Sequence, residues 1–207
     1  MTLYIAPDGH PRCAWAGAAP EFLDYHDTEW GYPVADDIRL FEKISLEGFQ
    51  SGLSWRTILA KRENFRAAFA GFDFHRIARY GPSDVERLMG DPGIVRHRGK
   101  IEAVLHNARK AVELQAEAGS LAAFFWHYEP APSELGAPQS ASTSPAAMRL
   151  SKELKKRGWK FIGPTTVFAF MQAMGLINDH AHGCVIRPAV AARRRDFMLP
   201  LAKTPPC

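Results

Sequence analysis

Residues 150–184 read LSKELKKRGWKFIGPTTVFAFMQAMGLINDHAHGC, and this pattern predicts two helices joined by a short, glycine-bearing hairpin. The first helix places Leu150 and Leu154 on one face and its cations on the other, and it ends at Gly158. Pro164 suits the first turn of the second helix, where its missing N–H costs nothing. The free N–H groups of the hairpin lie beside a helix N-terminus and four cations, which can together hold a nucleic-acid phosphate. An ordinary helical hairpin with a solvated basic face fits the same pattern.

The composition is that of a globular protein able to bury one or two small cores. The chain has 207 residues, of which 46% are hydrophobic and 23% charged. Its net charge of +4 and its pI near 9.0 are compatible with a nucleic-acid partner. No apolar run reaches membrane-spanning length, and the first residues lack a basic region followed by an apolar one. We therefore expect a cytoplasmic protein without a membrane partner.

Cysteine and histidine residues near the two ends of the predicted core form a candidate metal site. The cysteines are Cys13, Cys184 and Cys207. An odd number in such a chain argues against a disulfide framework and leaves metal ligation or burial. Cys13 with His26, and His180 with Cys184, would together make a Cys₂His₂ set. His180 and Cys184 share a face if their segment is helical, whereas the rival ligand His182 would lie on another face. A buried cysteine and unrelated histidines are the alternative.

One carboxylate falls on an apolar helix face. Residues 38–50 are predicted to be helical because apolar or small residues recur at helical spacing. That stripe consists of Leu40, Phe41, Ile44 and Gly48. Glu47 lies on the stripe, whereas Glu42 and Lys43 lie off it. A carboxylate on an apolar face is costly without partners, so Glu47 is a candidate for a pocket that needs an acceptor or a tuned acid. It can otherwise lie at the helix end, extend to solvent or cap a neighbouring helix.

The remaining periodic segments are also helical, and strand signals are poor, so the predicted fold is all-α. Further helices are expected over residues 55–69, 82–88, 101–112 and 121–126. Residues 129–147 are rich in Pro, Ser, Ala and Gly and predict a long loop. Residues 1–11 resemble a loose leader, residues 12–187 the helical domain, and residues 188–207 a basic, proline-bearing tail outside the core.

Seven stretches of this chain together resemble the type I DNA-3-methyladenine glycosylase family, the constitutive bacterial type. They are RCAW at 12–15, YHDTEWG at 25–31, LFEKISLEGFQSGLSW at 40–55, KREN at 61–64, GIVRHRGKI at 93–101, LKKRGWKFIGPT at 154–165, and FMQAMGLINDH at 170–180 with Cys184. They follow the order of the family across residues 12–186. Each stretch alone is a weak signal, and all seven in register are specific.

The resemblance implies an enzyme of base excision repair with a helix-hairpin-helix DNA glycosylase fold, built from two helical lobes with a cleft between them. Such enzymes hydrolyse the N-glycosidic bond of 3-methyladenine in alkylated DNA, release the free base and leave an abasic site, without cutting the strand. The implied partners are double-stranded DNA with alkylated bases and 3-methyladenine itself, and the implied state is a monomer.

The resemblance also assigns roles to the metal-ligand candidates. It implies one structural zinc ion per chain, held by Cys13, His26, His180 and Cys184 at the junction of the two chain ends, and no catalytic metal. Four protein ligands leave no open position for a catalytic water. Asp179 is expected to orient His180.

The resemblance also assigns the base pocket and the DNA contacts to individual residues of this chain. Glu47 matches the acidic pocket residue, which is also the candidate catalytic residue. The matching aromatic residues are Tyr25 and Trp55, with Trp15 and Trp30 nearby. Electron-rich ring faces attract the positive charge of 3-methyladenine in the nucleotide. The expected DNA contacts are Gly52 and Leu53 at the tip that enters the gap left by the flipped base, and Lys160, Gly163 and Thr165 in the hairpin.

Two other functions remain compatible with such a fold. A non-catalytic module could recognise modified bases in DNA without turnover, although Glu47, Tyr25 and Trp55 favour the enzyme. A helix-hairpin-helix nuclease or lyase would cut the strand. A lyase needs a lysine nucleophile in the hairpin, and the nearest one, Lys160, reads as a phosphate contact.

Overall fold

The computed structural model describes residues 3–200, and most of this part of the chain is helical. Its α-helices are α1 Pro20–Thr28, α2 Asp37–Gln50, α3 Trp55–Ala60, α4 Arg62–Ala68, α5 Phe74–Ile77, α6 Pro82–Met89, α7 Arg98–Ala118, α8 Leu121–Trp126, α9 Pro145–Lys156, α10 Pro164–Ala173 and α11 Ile186–Arg195. None of the helices between residues 3 and 200 is long and apolar enough to cross a bilayer. The prediction of a mainly helical fold is confirmed.

The expectation of a loose leader over residues 1–11 is wrong for the part that the structure describes. Strand β1 (Leu3–Ile5) pairs antiparallel with β2 (Pro11–Cys13), and Leu3 lies opposite Cys13. The hairpin is anchored because Arg12 is buried and pairs with both Asp8 and Asp27, at 2.8 and 3.0 Å. Met1 and Thr2 lie outside the described residues. We call residues 3–34 the N-terminal arm.

The expected helices are present, but several of their bounds differ and further helices occur. The helix predicted over 55–69 is two helices, α3 and α4, which meet at Lys61. The first helix of the hairpin begins at Pro145, where the Ser144 side chain accepts a hydrogen bond from the backbone of the first turn. The expected tail outside the core instead contains α11, whose Val190 is fully buried. Residues 201–207, with Cys207, lie outside the described part of the chain.

The central helix of the molecule is α2, which is buried along every face. All residues from Leu40 to Phe49 are buried, including the charged ones. The α9–α10 hairpin packs beside it: a Cβ at Gly48 would lie only 3.4 Å from the carbonyl oxygen of Phe161 in the turn. Because α2 lies among other helices on all sides, its apolar stripe does not separate buried from exposed positions.

The chain after α10 returns to the N-terminal arm at a very close approach. The turn after α10 contains Gly175 with φ +80°, a backbone conformation that favours glycine. A Cβ there would lie 2.5 Å from the backbone of Tyr32 and Pro33. Nearby, the Gly31 N–H donates to Ala173 O at 3.2 Å. The N-terminal arm therefore packs directly against the end of α10.

Replacing Gly175 with alanine is expected to destabilise the fold by more than about 3 kcal/mol, because the new methyl group meets backbone as well as an unfavourable φ. Gly71 is the matched control: it has φ +69° but no atom within 4 Å of a built Cβ. The control substitution Gly71→Ala is expected to cost only about 1–2 kcal/mol. Urea denaturation measures both, and equal losses would contradict the close approach.

Candidate functional site

A cavity of about 360 Å³ opens between the N-terminal arm, α2, α3 and α10. The five side chains predicted for a base pocket all line it: Trp15, Tyr25, Trp30, Glu47 and Trp55. The predicted loop after α8 also contributes to its wall, through Gln139 and Ala141. Segments far apart in sequence therefore form one concave site with aromatic and polar walls.

Aromatic rings form much of the cavity wall, and they pack against one another in tilted and edge-to-face pairs. The ring centroids of Tyr25 and Trp55 lie 5.4 Å apart, and those of Trp15 and Trp30 lie 5.1 Å apart at an interplanar angle of 74°. Such contacts hold the rings in fixed orientations. The indole N–H of Trp55 is buried and has no hydrogen-bond partner between residues 3 and 200. The rings offer fixed electron-rich faces to a flat molecule.

The charged centre of the cavity is an ion pair between Lys43 and Glu47, one helical turn apart on α2. The Lys43 Nζ lies 2.8 Å from a Glu47 carboxylate oxygen, and both side chains are buried. The same ammonium donates to the Tyr25 hydroxyl at 2.7 Å. It also lies 3.4 Å from the centroid of the Trp55 ring, in cation–π contact. The ammonium thus contacts an aromatic face, a hydroxyl and a carboxylate at once.

Burial and charge shift the proton affinities in this group. Desolvation lowers the pKa of Lys43, and the neighbouring Glu47 carboxylate opposes that shift. Burial raises the pKa of Tyr25, and the charge of Glu47 raises it further. Tyr25 therefore remains a neutral phenol that accepts from Lys43.

Sequence reasoning missed Lys43, which was expected to lie off the apolar stripe of its helix. The stripe was misleading because α2 is buried on every face. The available signal was the i, i+4 spacing of a lysine and a glutamate in an otherwise apolar helix, which allows the two charges to pair.

The four metal-ligand candidates form a buried cluster next to this cavity. The ligand atoms of Cys13, His26, His180 and Cys184 all lie within 4.8 Å of one another. The sulfur–nitrogen distances given by the hydrogen bonds are 3.6 to 3.7 Å, and His180 Nδ1 lies 3.2 Å from His26 Nε2. A tetrahedral zinc ion with ordinary bond lengths would set these edges at about 3.6 and 3.3 Å. The donor set and its spacing fit a four-coordinate metal.

Hydrogen bonds to the two imidazoles also favour a cation at the centre of the cluster. His180 Nε2 lies 3.0 Å from Trp30 O, and His26 Nδ1 lies 2.7 Å from an Asp27 oxygen. A neutral imidazole that donates to these acceptors has a lone pair on its other nitrogen. The two lone pairs then face each other, which is unfavourable unless a cation lies between them.

The two thiols of the cluster have opposite tendencies to ionise. The pKa of Cys184 is lowered mainly because Cys13 donates a hydrogen bond to its sulfur. The pKa of Cys13 is raised by the same interaction and by burial. One thiolate is therefore favoured by the protein alone, and a bound cation would favour both.

The structure settles one open question about the segment that carries these ligands and corrects one expectation. Residues 178–184 are not helical, and His180 and Cys184 meet because a turn closes between Ala181 O and the Cys184 N–H at 3.1 Å. Asp179 does not orient His180: its oxygens accept from the Gln139 N–H at 2.9 Å and from Gln172 Nε2 at 2.6 Å. Asp27 and the Trp30 carbonyl take the orienting role instead. The rival ligand His182 is exposed.

The predicted DNA contacts lie at one end of α2. Gly52 and Leu53 are exposed in the turn after α2. In the hairpin between α9 and α10, Lys160 and Thr165 are exposed and Gly163 is half-buried.

Two further polar residues hold these segments in place, and neither stood out in the sequence. Buried Asn107 donates to Lys160 O at 2.9 Å and accepts from Lys160 N at 2.8 Å, so it holds the hairpin backbone. Buried Lys100 donates to Phe49 O at 2.9 Å and to Ser51 O at 2.5 Å. These donations satisfy carbonyl groups at the C-terminus of α2 and position the turn that follows.

Three similarities to known proteins bear on this site. The sequence profile of the methyladenine glycosylase family matches residues 15–187. DNA-3-methyladenine glycosylase 1 of Escherichia coli (strain K12) is 46% identical over 181 residues, which cover 86% of this chain and 97% of that protein. DNA-3-methyladenine glycosylase of Haemophilus influenzae is 44% identical over 177 residues, which cover 84% and 96%.

A solved structure adds a bound base to these similarities. It is the crystal structure of a variant of 3-methyladenine DNA glycosylase I in complex with 3-methyladenine. The TM-score is 0.80 at 38% identity, with 86% of this chain and 97% of the other chain covered.

Replacing Lys100 with methionine is expected to loosen the turn at residues 51–54, because two carbonyl groups lose their donor. We expect a loss of about 1–3 kcal/mol in the free energy of unfolding and faster amide hydrogen exchange in the turn. Lys155→Met, at an exposed position of α9, is the control, with an expected change within about 0.5 kcal/mol. Unchanged exchange at residues 51–54 in the Lys100 variant would remove Lys100 from this role.

Proposed function

The chain belongs to the methyladenine glycosylase family, and we infer from this that it is a DNA glycosylase that excises 3-methyladenine in DNA repair. The observation that best supports this activity is a cavity lined by a buried carboxylate, Glu47, together with the rings of Tyr25 and Trp55. A non-catalytic module is set aside, because relatives at 44–46% identity over most of the chain are enzymes.

The pocket suits a flat, positively charged purine. While it is attached to the sugar, 3-methyladenine carries a delocalised positive charge, which the faces of Trp55 and Tyr25 attract. Glu47 can accept hydrogen bonds from the exocyclic amine, and its negative charge favours a cationic ring over ordinary adenine. The base has to leave the helical stack of the duplex to reach this depth. Recognition therefore combines ring stacking with one carboxylate.

The reaction requires little acid–base assistance. The positive charge makes the base a good leaving group, and it departs neutral as the N-glycosidic bond breaks. A water molecule then adds to C1′ of the sugar cation and gives up a proton to solvent, and an abasic site remains. The chain acts mainly by binding the flipped base and holding Glu47 beside it, so that the pocket stabilises charge as it moves toward the sugar. The expected product is an abasic site in an uncut strand.

Two surface segments support binding of double-stranded alkylated DNA. We propose that α9, α10 and their turn act as a helix-hairpin-helix motif, in which the N-terminus of α10, with Gly163 and Thr165, binds a backbone phosphate. Lys160 adds a positive charge to that contact. The exposed pair Gly52 and Leu53 enters the gap that the flipped base leaves. Lys100 and Asn107 hold the two segments in position.

The metal-ligand cluster is proposed to bind one structural zinc ion. The ligand set, the 3.2 to 3.7 Å spacings and the facing imidazole lone pairs support this assignment. The ion would join the N-terminal arm to the segment after α10 and would leave no open position for water. Cys13 and His26 come from the arm that also carries Trp15, Tyr25 and Trp30. Zinc binding therefore supports the base pocket without taking part in chemistry.

One chain supplies every residue that lines the pocket, so we propose an active monomer. We also propose a cytoplasmic location, because the relatives are bacterial enzymes that act on DNA.

Replacing Glu47 with glutamine is expected to reduce excision of 3-methyladenine by at least about tenfold, because the pocket loses the carboxylate that accepts from the base and offsets the charge of Lys43. Release of free base from methylated duplex DNA, separated by chromatography, measures the effect. Glu42→Gln is the matched control, since Glu42 lies on the same buried helix but pairs with Arg66 at 2.8 Å away from the cavity. Unchanged excision by the folded Glu47 variant would remove Glu47 from the site, and no excision by wild type would overturn the proposed activity.

Metal analysis is expected to find about one zinc ion per chain, and its removal is expected to cost at least about 3 kcal/mol, or about 10 °C in Tm. Cys184→Ser should lose most of the zinc, whereas the control His182→Ala should retain it, because His182 is exposed outside the cluster. Zinc-free wild type from a chelator-free preparation would contradict the proposed site.

A further inference from the structure

The base pocket already contains a cation of its own. The Lys43 ammonium lies 3.4 Å from the Trp55 ring centroid, 2.7 Å from the Tyr25 hydroxyl and 2.8 Å from Glu47. These are the groups that the proposed function assigns to a positively charged base. The inference below rests on that function, because it concerns which bases the same pocket prefers.

The ammonium also cancels the charge of Glu47. Lys43 is the only ion-pair partner of Glu47 between residues 3 and 200, and the pair as a whole is neutral. Asp179 also lines the cavity; the Gln139 backbone N–H and the Gln172 side-chain amide hold it in place but do not cancel its charge, and it forms no ion pair with Lys43 between residues 3 and 200. Beside Glu47, a positive base therefore meets a pair without net charge, rather than a free carboxylate.

Other charges near Lys43 are already engaged. Glu29 is held by Arg62 through two hydrogen bonds of 2.7 and 2.8 Å, and Glu42 is held by Arg66. Neither carboxylate can neutralise a second cation in the cavity without giving up its arginine. Glu47 is therefore the carboxylate that the two cations, Lys43 and the base, would have to share.

We propose that Lys43 sets the preference of the pocket between cationic and neutral bases. Its ammonium has to move off the Trp55 face before a positive base can stack there, and it remains tethered nearby on α2. It therefore weakens binding of the cationic base more than binding of the neutral base that is released. Lys43 is a specificity-determining residue, and it acts against tight binding of the charged ground state.

This arrangement also favours bond cleavage over ground-state binding. The positive charge leaves the base and moves to the sugar as the glycosidic bond breaks. A neighbouring ammonium raises the free energy of the charged base more than that of the state in which the base has become neutral. The difference lowers the barrier of the chemical step. Removing the ammonium should therefore lower KM and kcat together.

Two small-molecule probes, one cationic and one neutral, distinguish an effect of the Lys43 charge from general damage to the pocket. The cationic probe is 3,9-dimethyladeninium, in which a methyl group replaces the sugar so that the ring keeps its positive charge. The neutral probe is 3-methyladenine in mildly alkaline buffer. In Lys43→Met, the affinity for the cationic probe divided by the affinity for the neutral probe is expected to rise at least about tenfold over wild type. The ratio rises because a positive charge a few ångströms from the bound ring is removed. Isothermal titration calorimetry measures both affinities.

Two further variants keep the test decisive. Lys43→Gln removes the charge by a different side chain if the methionine variant does not fold, and it is expected to raise the ratio as well. Lys43→Arg retains the charge and is expected to stay within about threefold of the wild-type ratio. If Lys43→Met and Lys43→Gln both leave the ratio unchanged, or lower both affinities equally, the proposal is overturned. Lys43 would then only hold the Tyr25 hydroxyl in place.

The excision assay separates this proposal from the function on which it rests. Wild-type excision with an unchanged probe ratio would reject the role of Lys43 and leave the glycosylase intact. Absence of wild-type excision would reject the function, whatever the probe ratio shows. A lower KM and a lower kcat for methylated DNA in Lys43→Met would support the proposal, and a raised KM would oppose it.

Discussion

The base pocket depends on the contact between the two ends of the chain. Cys13 and His26 from the N-terminal arm meet His180 and Cys184 from the segment after α10, with all four ligand atoms within 4.8 Å. Close backbone packing at Gly175 reinforces the same junction. Since the arm also carries Trp15, Tyr25 and Trp30, this junction determines whether an aromatic wall faces α2 at all. The contacts that hold the two chain ends together therefore also position the aromatic side chains of the pocket.

The pocket itself combines two demands that oppose each other. A carboxylate buried among aromatic rings is costly, and Lys43 offsets that cost in the empty site by pairing with Glu47. The same ammonium then competes with the positive base for the ring faces and the carboxylate. Stability of the empty pocket and affinity for a charged base thus cannot both be maximal.

Local patterns in the sequence led to much of this structure, and the failures have identifiable causes. The all-α prediction and the helices around Pro164 follow from apolar periodicity and proline chemistry. Lys43 was missed because a helix buried on all faces has no exposed side from which a charge would be excluded. The leader was misjudged because its order comes from Arg12, whose partners include Asp27, fifteen residues away. The arrangement of residues 178–184 stayed open at the sequence level because contacts with the arm shape that segment.

The sequence by itself determined the fold class, the candidate Cys₂His₂ set and Glu47 as an unusual carboxylate, since periodicity and residue chemistry are local properties. The resemblance of its motifs identified the family and named the aromatic residues. Only the tertiary structure decided that Lys43 shares the pocket with Glu47, that Asp27 and the Trp30 carbonyl orient the histidines, and that Lys100 and Asn107 hold the two turns proposed to contact DNA. These assignments depend on how separate segments of the chain pack against one another, which no local pattern records.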